Sequence, residues 1–167
     1  MSASSRSIRS PLLAVDLRSK QEVTEAFRRL QARAAEIKVT LDGILVQKMV
    51  RGGVELLASV FRDPLFGTMI SVGSGGGMTE QLDDVVTARA PVDQRVAADM
   101  IERTRLRQYA RDSKGPLDSQ AAAAFVARLS QLGAGAPWKR FTFEVNPMKW
   151  SRDGVVAVDG LLVIEEP

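Results

Sequence analysis

Two segments near the C-terminus carry the oxygen chemistry of this chain. Phe141-Thr142-Phe143-Glu144-Val145-Asn146-Pro147 has the composition of a strand and ends in Glu-x-Asn-Pro. After a tight turn, Asp153-Gly154-Val155-Val156-Ala157-Val158-Asp159 reads as a second strand ending in Asp. A carboxylate, a carboxamide and a second carboxylate then stand at the ends of neighbouring strands. Hard oxygen ligands of this kind suit Mg²⁺, which binds few protein groups and leaves the rest of its shell to water and substrate phosphates. Convergence of Glu144, Asn146 and Asp159 would supply part of a nucleotide–magnesium site. The residues alone leave a plainer alternative: solvated strand ends, with Pro147 simply stopping the first strand.

The composition narrows the chemistry further. The 167 residues include no cysteine and no histidine. Disulfides, thiolate nucleophiles, a Ser-His-Asp triad and His-ligated zinc are excluded within this chain. Any imidazole must come from elsewhere, and a cytoplasmic protein is the simplest reading. The net charge of +3 is raised by Arg6 and Arg9, set among the five serines of Ser2–Ser10. Residues 1–11 read as a disordered tail and not as a secretory signal. Residues 12–167 are expected to form one domain. A hydrophobic fraction of 45% is ordinary for a soluble protein. No apolar run approaches the ~20 residues of a membrane-spanning helix.

The elements that must position these side chains follow from pattern. Leu12–Leu17 is a short apolar strand candidate. Ser19-Lys20-Gln21-Glu22 has the form of a capping box, and Val23, Ala26, Phe27, Leu30, Ala34 and Ile37 follow at helical spacing. That helix is expected to pack one face on a sheet. Turns at Asp42-Gly43, Arg51-Gly52-Gly53 and Asp63-Pro64 separate strands at Ile44–Met49, Val54–Phe61 and Thr68–Val72, a spacing that implies an antiparallel meander. A glycine-rich loop, Gly73-Ser74-Gly75-Gly76-Gly77, precedes Met78-Thr79-Glu80. It is too loose for a P-loop, because no Gly-Lys-Ser/Thr follows. A strand at Asp84–Ala90 and helices at Pro91–Leu106 and Gln120–Leu132 follow, the second capped by Asp118 or Ser119 and ended by Gly133 in a left-handed turn. The fold class is α+β, a largely antiparallel sheet with helices on one face.

In this order the motifs resemble the ATP-grasp domain of the ADP-forming acyl-CoA synthetases, the acetate–CoA ligase family. The matching pieces are Ile44-Leu45-Val46-Gln47-Lys48-Met49-Val50, Gly52-Gly53-Val54-Glu55-Leu56, Arg62-Asp63-Pro64-Leu65-Phe66-Gly67, Gly73-Ser74-Gly75-Gly76, Glu80, and Glu144-Val145-Asn146-Pro147 with Asp159. The pair Gly-Val-Glu-Leu and Arg-Asp-Pro-x-Phe-Gly is specific. The resemblance implies an ATP-grasp-like lobe that takes ATP and Mg²⁺. On it, backbone around Gln47, Lys48 and Val50 faces adenine, Glu55 holds the ribose hydroxyls, and Glu144, Asn146 and Asp159 hold the metal. The glycine loop, Gly75 and Gly76 included, approaches phosphate, and Glu80 is the catalytic acid that meets an incoming histidine. Glu80 read alone is equally a helix-start acid.

The family resemblance further implies phosphoryl transfer between ATP and a histidine on a CoA-binding, phosphohistidine-bearing partner domain or chain. Ligase activity (acid–thiol, ADP-forming) is expected only with the domains this chain lacks. Relative to the family pattern, the chain is expected to start after the segment whose lysine grips phosphate. Ala88 stands where an arginine is usual, and Thr142 where an acid is common. The alternative is a non-catalytic remnant serving as an assembly or regulatory module, as a homodimer covering a bare sheet face. The basic run Arg103, Arg105, Arg107, Arg111 and Lys114 reads as a solvated helix face. Trp138, Phe141, Phe143 and Trp150 alternate in strand fashion, which favours packing over base stacking, so nucleic acid is not an expected partner.

Overall fold

The computed structural model describes residues 12–76, 84–106 and 117–165. The chain divides into two compact units, Met1–Met49 and Val50–Pro167.

The first unit holds α1 (Lys20–Glu36). Its start is capped by Ser19, whose Oγ accepts the Glu22 N–H at 3.1 Å, while Glu22 reaches back to the N–H of Arg18, one residue before the cap, at 2.6 Å. Ala26, Leu30 and Ala34, four residues apart, form its buried stripe, whereas Phe27 and Ile37 stay exposed. Two strand expectations fail here. Leu12–Leu17 and Ile44–Met49 have no regular structure, and Leu45 and Val46 are 79% and 71% exposed. Apolar β-branched composition favours a strand only where a neighbouring strand takes up its backbone groups.

The second unit is a six-stranded antiparallel sheet: β1 (Val54–Asp63), β2 (Gly67–Ser74), β3 (Val85–Arg89), β4 (Phe141–Ser151), β5 (Gly154–Ala157) and β6 (Gly160–Ile164). The strand order is β3-β2-β1-β4-β5, with β6 also on β4. The β1–β2 turn is chemical as well as steric. Asp63 Oδ1 accepts the N–H groups of Leu65 and Phe66 at 2.8 and 2.9 Å, and Gly67 takes φ +77°. Arg62 runs along the end of the sheet, with its guanidinium over Phe141 at 5.6 Å and donating to the Ala136 carbonyl. The Arg-Asp-Pro-x-Phe-Gly motif therefore does structural work.

Two helices cover one face of this sheet: α2 (Gln94–Arg103, capped by Asp93) and α3 (Ser119–Ala134, capped by Asp118). Leu56, Ala58 and Val60 of β1, Ile70 and Val72 of β2, and Val145, Met148 and Trp150 of β4 meet Ala97, Met100, Ala122, Val126 and Leu129 in one core. The aromatic run packs as expected: Phe141 and Trp150 are buried, and Trp138 and Phe143 lie against the cluster. Ser130, fully buried, accepts the Val92 N–H and donates to the Ala127 carbonyl, tying α3 to the entry of α2. Arg107, Arg111 and Lys114 lie outside the described residues. Among those described, no helix is long and apolar enough to cross a membrane.

Gly133 does not end α3 in a left-handed turn. The helix runs one residue further to Ala134, and Gly135 follows at φ −85°. Gly133 is instead the point where α3 touches the sheet, since a Cβ there would fall on the methyls of buried Val60. Substituting Gly133→Ala should lower stability by about 1–3 kcal/mol despite the gain in helix propensity. Thermal or denaturant unfolding of the variant checks this, and the smaller Gly133→Ala, Val60→Ala pair should recover part of the loss.

Candidate functional site

The second correction concerns where strands stop. β4 does not end at Asn146-Pro147; it continues through Pro147 to Ser151. Proline has no N–H to give the ladder and is tolerated in strands mainly at edges or bulges. The registers show the bulge directly. Val54, Glu55 and Leu56 pair with Trp150, Lys149 and Met148, but Ala58 pairs with Val145, so Leu57 opposes both Asn146 and Pro147. On the other side of β4 the returning strand keeps its register. Val145 pairs with Gly160 and Met148 with Ala157, while the stretch between β5 and β6 holds on through Asn146 N–H to Asp159 O and Val158 N–H to Pro147 O, both 3.1 Å. Asp159 therefore lies at an interruption within a strand, not at a strand end.

The three expected ligands lie on the sheet face away from α2 and α3. Val145 and Phe141 point into the core, so Glu144 and Asn146 alternate to the opposite face. Asp159 stands directly across from Asn146 and shares that face by the same pairing rule. Asn146 Nδ2 donates to Glu144 Oε1 at 3.2 Å, and Asn146 Oδ1 accepts the Gly76 N–H at 2.9 Å. Asp159 Oδ1 accepts the N–H of Gly160 at 2.8 Å and is otherwise exposed. The carboxamide is thus the hinge of the cluster, joined on one side to a carboxylate and on the other to the glycine-rich segment.

Glu55 belongs to the same cluster. It faces Lys149 across β1 and β4, and Lys149 Nζ lies 2.5 Å from Glu55 Oε1. Its carbonyl accepts the Gly75 N–H at 2.8 Å. A Cβ on Gly76, which has φ +65°, would fall on Glu55 Oε2. The left-handed backbone favours glycine there, and any side chain would have to displace the Glu55 carboxylate. The N–H groups of Gly75 and Gly76 are directed at protein acceptors in this structure. Lys149 was not visible as a site residue in the sequence. The signal that would have found it is the antiparallel register, which no local pattern of alternating residues reveals. Ser59 and Ser71 continue the polar face next to Glu144, and Ser71 Oγ lies 2.8 Å from Thr87 Oγ1.

Gln47 and Lys48 are exposed residues of the first unit, and Val50 is half-buried at the start of the second. Glu80 lies outside the described residues. Among those described, no group of three or more carboxylates, imidazoles or thiolates could hold a metal. The donor set is two carboxylates and a carboxamide, all oxygen. That set fits magnesium, which is bound by one or two carboxylates with water and phosphate completing its shell, and does not fit a softer metal.

Comparison with known proteins gives the family and the fold. Residues 10–164 match the family model described as ATP-grasp domain. The chain belongs to the ATP-grasp family. It is 37% identical over 131 residues to acetate–CoA ligase [ADP-forming] I of Archaeoglobus fulgidus, covering 77% of this chain and 19% of that protein. It is 27% identical over 154 residues to the beta subunit of acetate–CoA ligase [ADP-forming] I of Pyrococcus furiosus, covering 90% of this chain and 66% of the subunit. The chain thus spans less than two thirds of either relative. The fold superposes, with a TM-score of 0.77 and 28% identity, on acetyl-coenzyme A synthetase 1 of Candidatus Korarchaeum cryptofilum. That structure contains coenzyme A and Mg-AMPPCP, with its phosphohistidine segment pointing towards the nucleotide binding site, and the match covers 91% of this chain and 67% of that one. The same enzyme with coenzyme A and Ca-AMPCP gives a TM-score of 0.83. The ATP-grasp fold and the α+β class inferred from the motifs are those observed.

Gly76→Ala should cost about 1–3 kcal/mol, the sum of a left-handed backbone and displacement of the Glu55 carboxylate. Gly52→Ala is the control. It has φ +72° but nothing within 4 Å of the added Cβ, and should lose only the backbone part. Paired melting curves separate the two.

Proposed function

We propose that the face built by Glu144, Asn146 and Asp159 holds the phosphates and magnesium of ATP for phosphoryl transfer to a histidine on a partner domain or chain. The observation that carries this is the Asn146 carboxamide, fixed between Glu144 and the Gly76 backbone with Asp159 opposite it. Three hard donors on one sheet face within an ATP-grasp fold suit a magnesium-bound triphosphate. A relative with Mg-AMPPCP and a phosphohistidine segment near its nucleotide supports the same assignment.

The roles divide as follows. Asn146 and Asp159 bind the cation, and Glu144 both binds it and orients the Asn146 amide. Glu55, one of whose oxygens is already engaged by Lys149, offers the other towards the ribose. Backbone near Gln47, Lys48 and Val50 faces the adenine. Glu80 receives the partner histidine. Magnesium held there neutralises the charge that gathers on the phosphates during transfer, so the protein's own residues need only position and shield. The chain has no histidine, so the acceptor is supplied by a CoA-binding partner, and the complete reaction is ADP-forming acid–thiol ligation.

A thermal melt with Mg-ATP, alongside Trp fluorescence, tests the site. Mg-ATP at ~100 times its Kd should stabilise the chain by about 2.7 kcal/mol. Asn146→Ala should abolish that stabilisation while leaving the unliganded melt within about 1–2 kcal/mol of the parent. A parent protein that melts identically with and without Mg-ATP would favour a non-catalytic assembly module.

A further inference from the structure

Lys149 is the cation that this face keeps for itself. Its side chain is only 19% exposed, and its ammonium contacts Glu55, whose side chain is 35% exposed. The other Glu55 oxygen lies where a Gly76 side chain would be, and the Gly76 N–H donates to Asn146, which donates to Glu144. Lys149, Glu55, Gly76, Asn146 and Glu144 thus form one unbroken chain of contacts across two strands and the glycine segment. Within it the acids are Glu55 and Glu144, with Asp159 across from Asn146, and Lys149 is the base that meets Glu55.

We propose that Lys149 is a positioning residue of the ATP-grasp site: it pins the Glu55 carboxylate beneath Gly76 and sets the charge of the cluster so that magnesium and the anionic nucleotide are taken together and not magnesium alone. The argument rests on the nucleotide–magnesium reading above. Carboxylates on this face with no cation beside them would attract a bare divalent ion and repel a polyphosphate. A fixed ammonium changes both tendencies at once and in opposite directions. A cross-strand partner on a rigid ladder holds that charge in place more firmly than a flexible loop cation would. A lysine that merely braced the two strands would have no such opposed effect on the two ligands.

The experiment measures three affinities by calorimetry for the whole chain: Mg²⁺ alone, ATP alone with chelator present, and Mg-ATP. The parent, Lys149→Met and Lys149→Arg are compared, with Lys149→Gln in reserve if the methionine variant does not fold. A melt without ligand establishes that each variant is folded. Loss of the charge should tighten Mg²⁺ alone by ~5-fold and weaken ATP alone by at least as much, with both changes shrinking as salt is raised. Lys149→Arg should restore the parent pattern. Affinities that fall together, or that do not change, overturn the proposal while leaving the site reading intact. A parent that binds neither ATP nor Mg-ATP overturns both.

Discussion

A proline that cannot donate to a β-ladder sits at the centre of the candidate functional face of this protein. Pro147 sits in the middle of the longest strand, and the sheet accommodates it with a bulge towards β1 and an interruption between β5 and β6. The disturbance falls at one point, and the backbone beside it still bonds across to the returning strand. Asn146 and Asp159 face each other across it, and Glu144 is one pleat away.

The rest of the unit holds that interruption rigid. On the far face, α3 approaches β1 closely enough that only glycine fits at 133, and Val126, Leu129 and Ala122 fill the space beside Val60 and Met148. Trp150, just past the bulge, is buried and donates its indole N–H to the Asp118 carbonyl at the start of α3. The strand is therefore anchored immediately after the bulge as well as before it. On the opposite face the glycine-rich segment is fastened by hydrogen bonds from its backbone to Glu55 and Asn146. Two faces of one sheet thus carry different duties, apolar packing behind and polar convergence in front.

Membership of the ATP-grasp family places this face in a chemical setting without completing it. The chain spans part of the acetate–CoA ligases it resembles, and those relatives carry further segments. A face that gathers hard oxygen donors, in a chain without an imidazole, is compatible with the proposed division of labour, in which one part positions nucleotide and another accepts the phosphoryl group.

Much of this was legible in local pattern. Capping residues at Ser19 and Asp118, the Asp63-Pro64 and glycine turns, and the β1 and β2 runs all specify their structure through short-range backbone chemistry, so sequence alone determined them. Residue type likewise determined that Glu144, Asn146 and Asp159 were the candidate ligands. Tertiary structure decided what periodicity does not encode. Ile44–Met49 has strand composition, yet no strand forms there, because a strand needs a partner to take its backbone hydrogen bonds. Gly133 reads as a helix stop but acts as a contact with Val60, and Pro147 reads as a strand stop but marks a bulge, since in each case a residue distant in sequence determines the outcome. Lys149 becomes a partner of Glu55 only once β1 and β4 lie side by side, ninety-four residues apart in sequence.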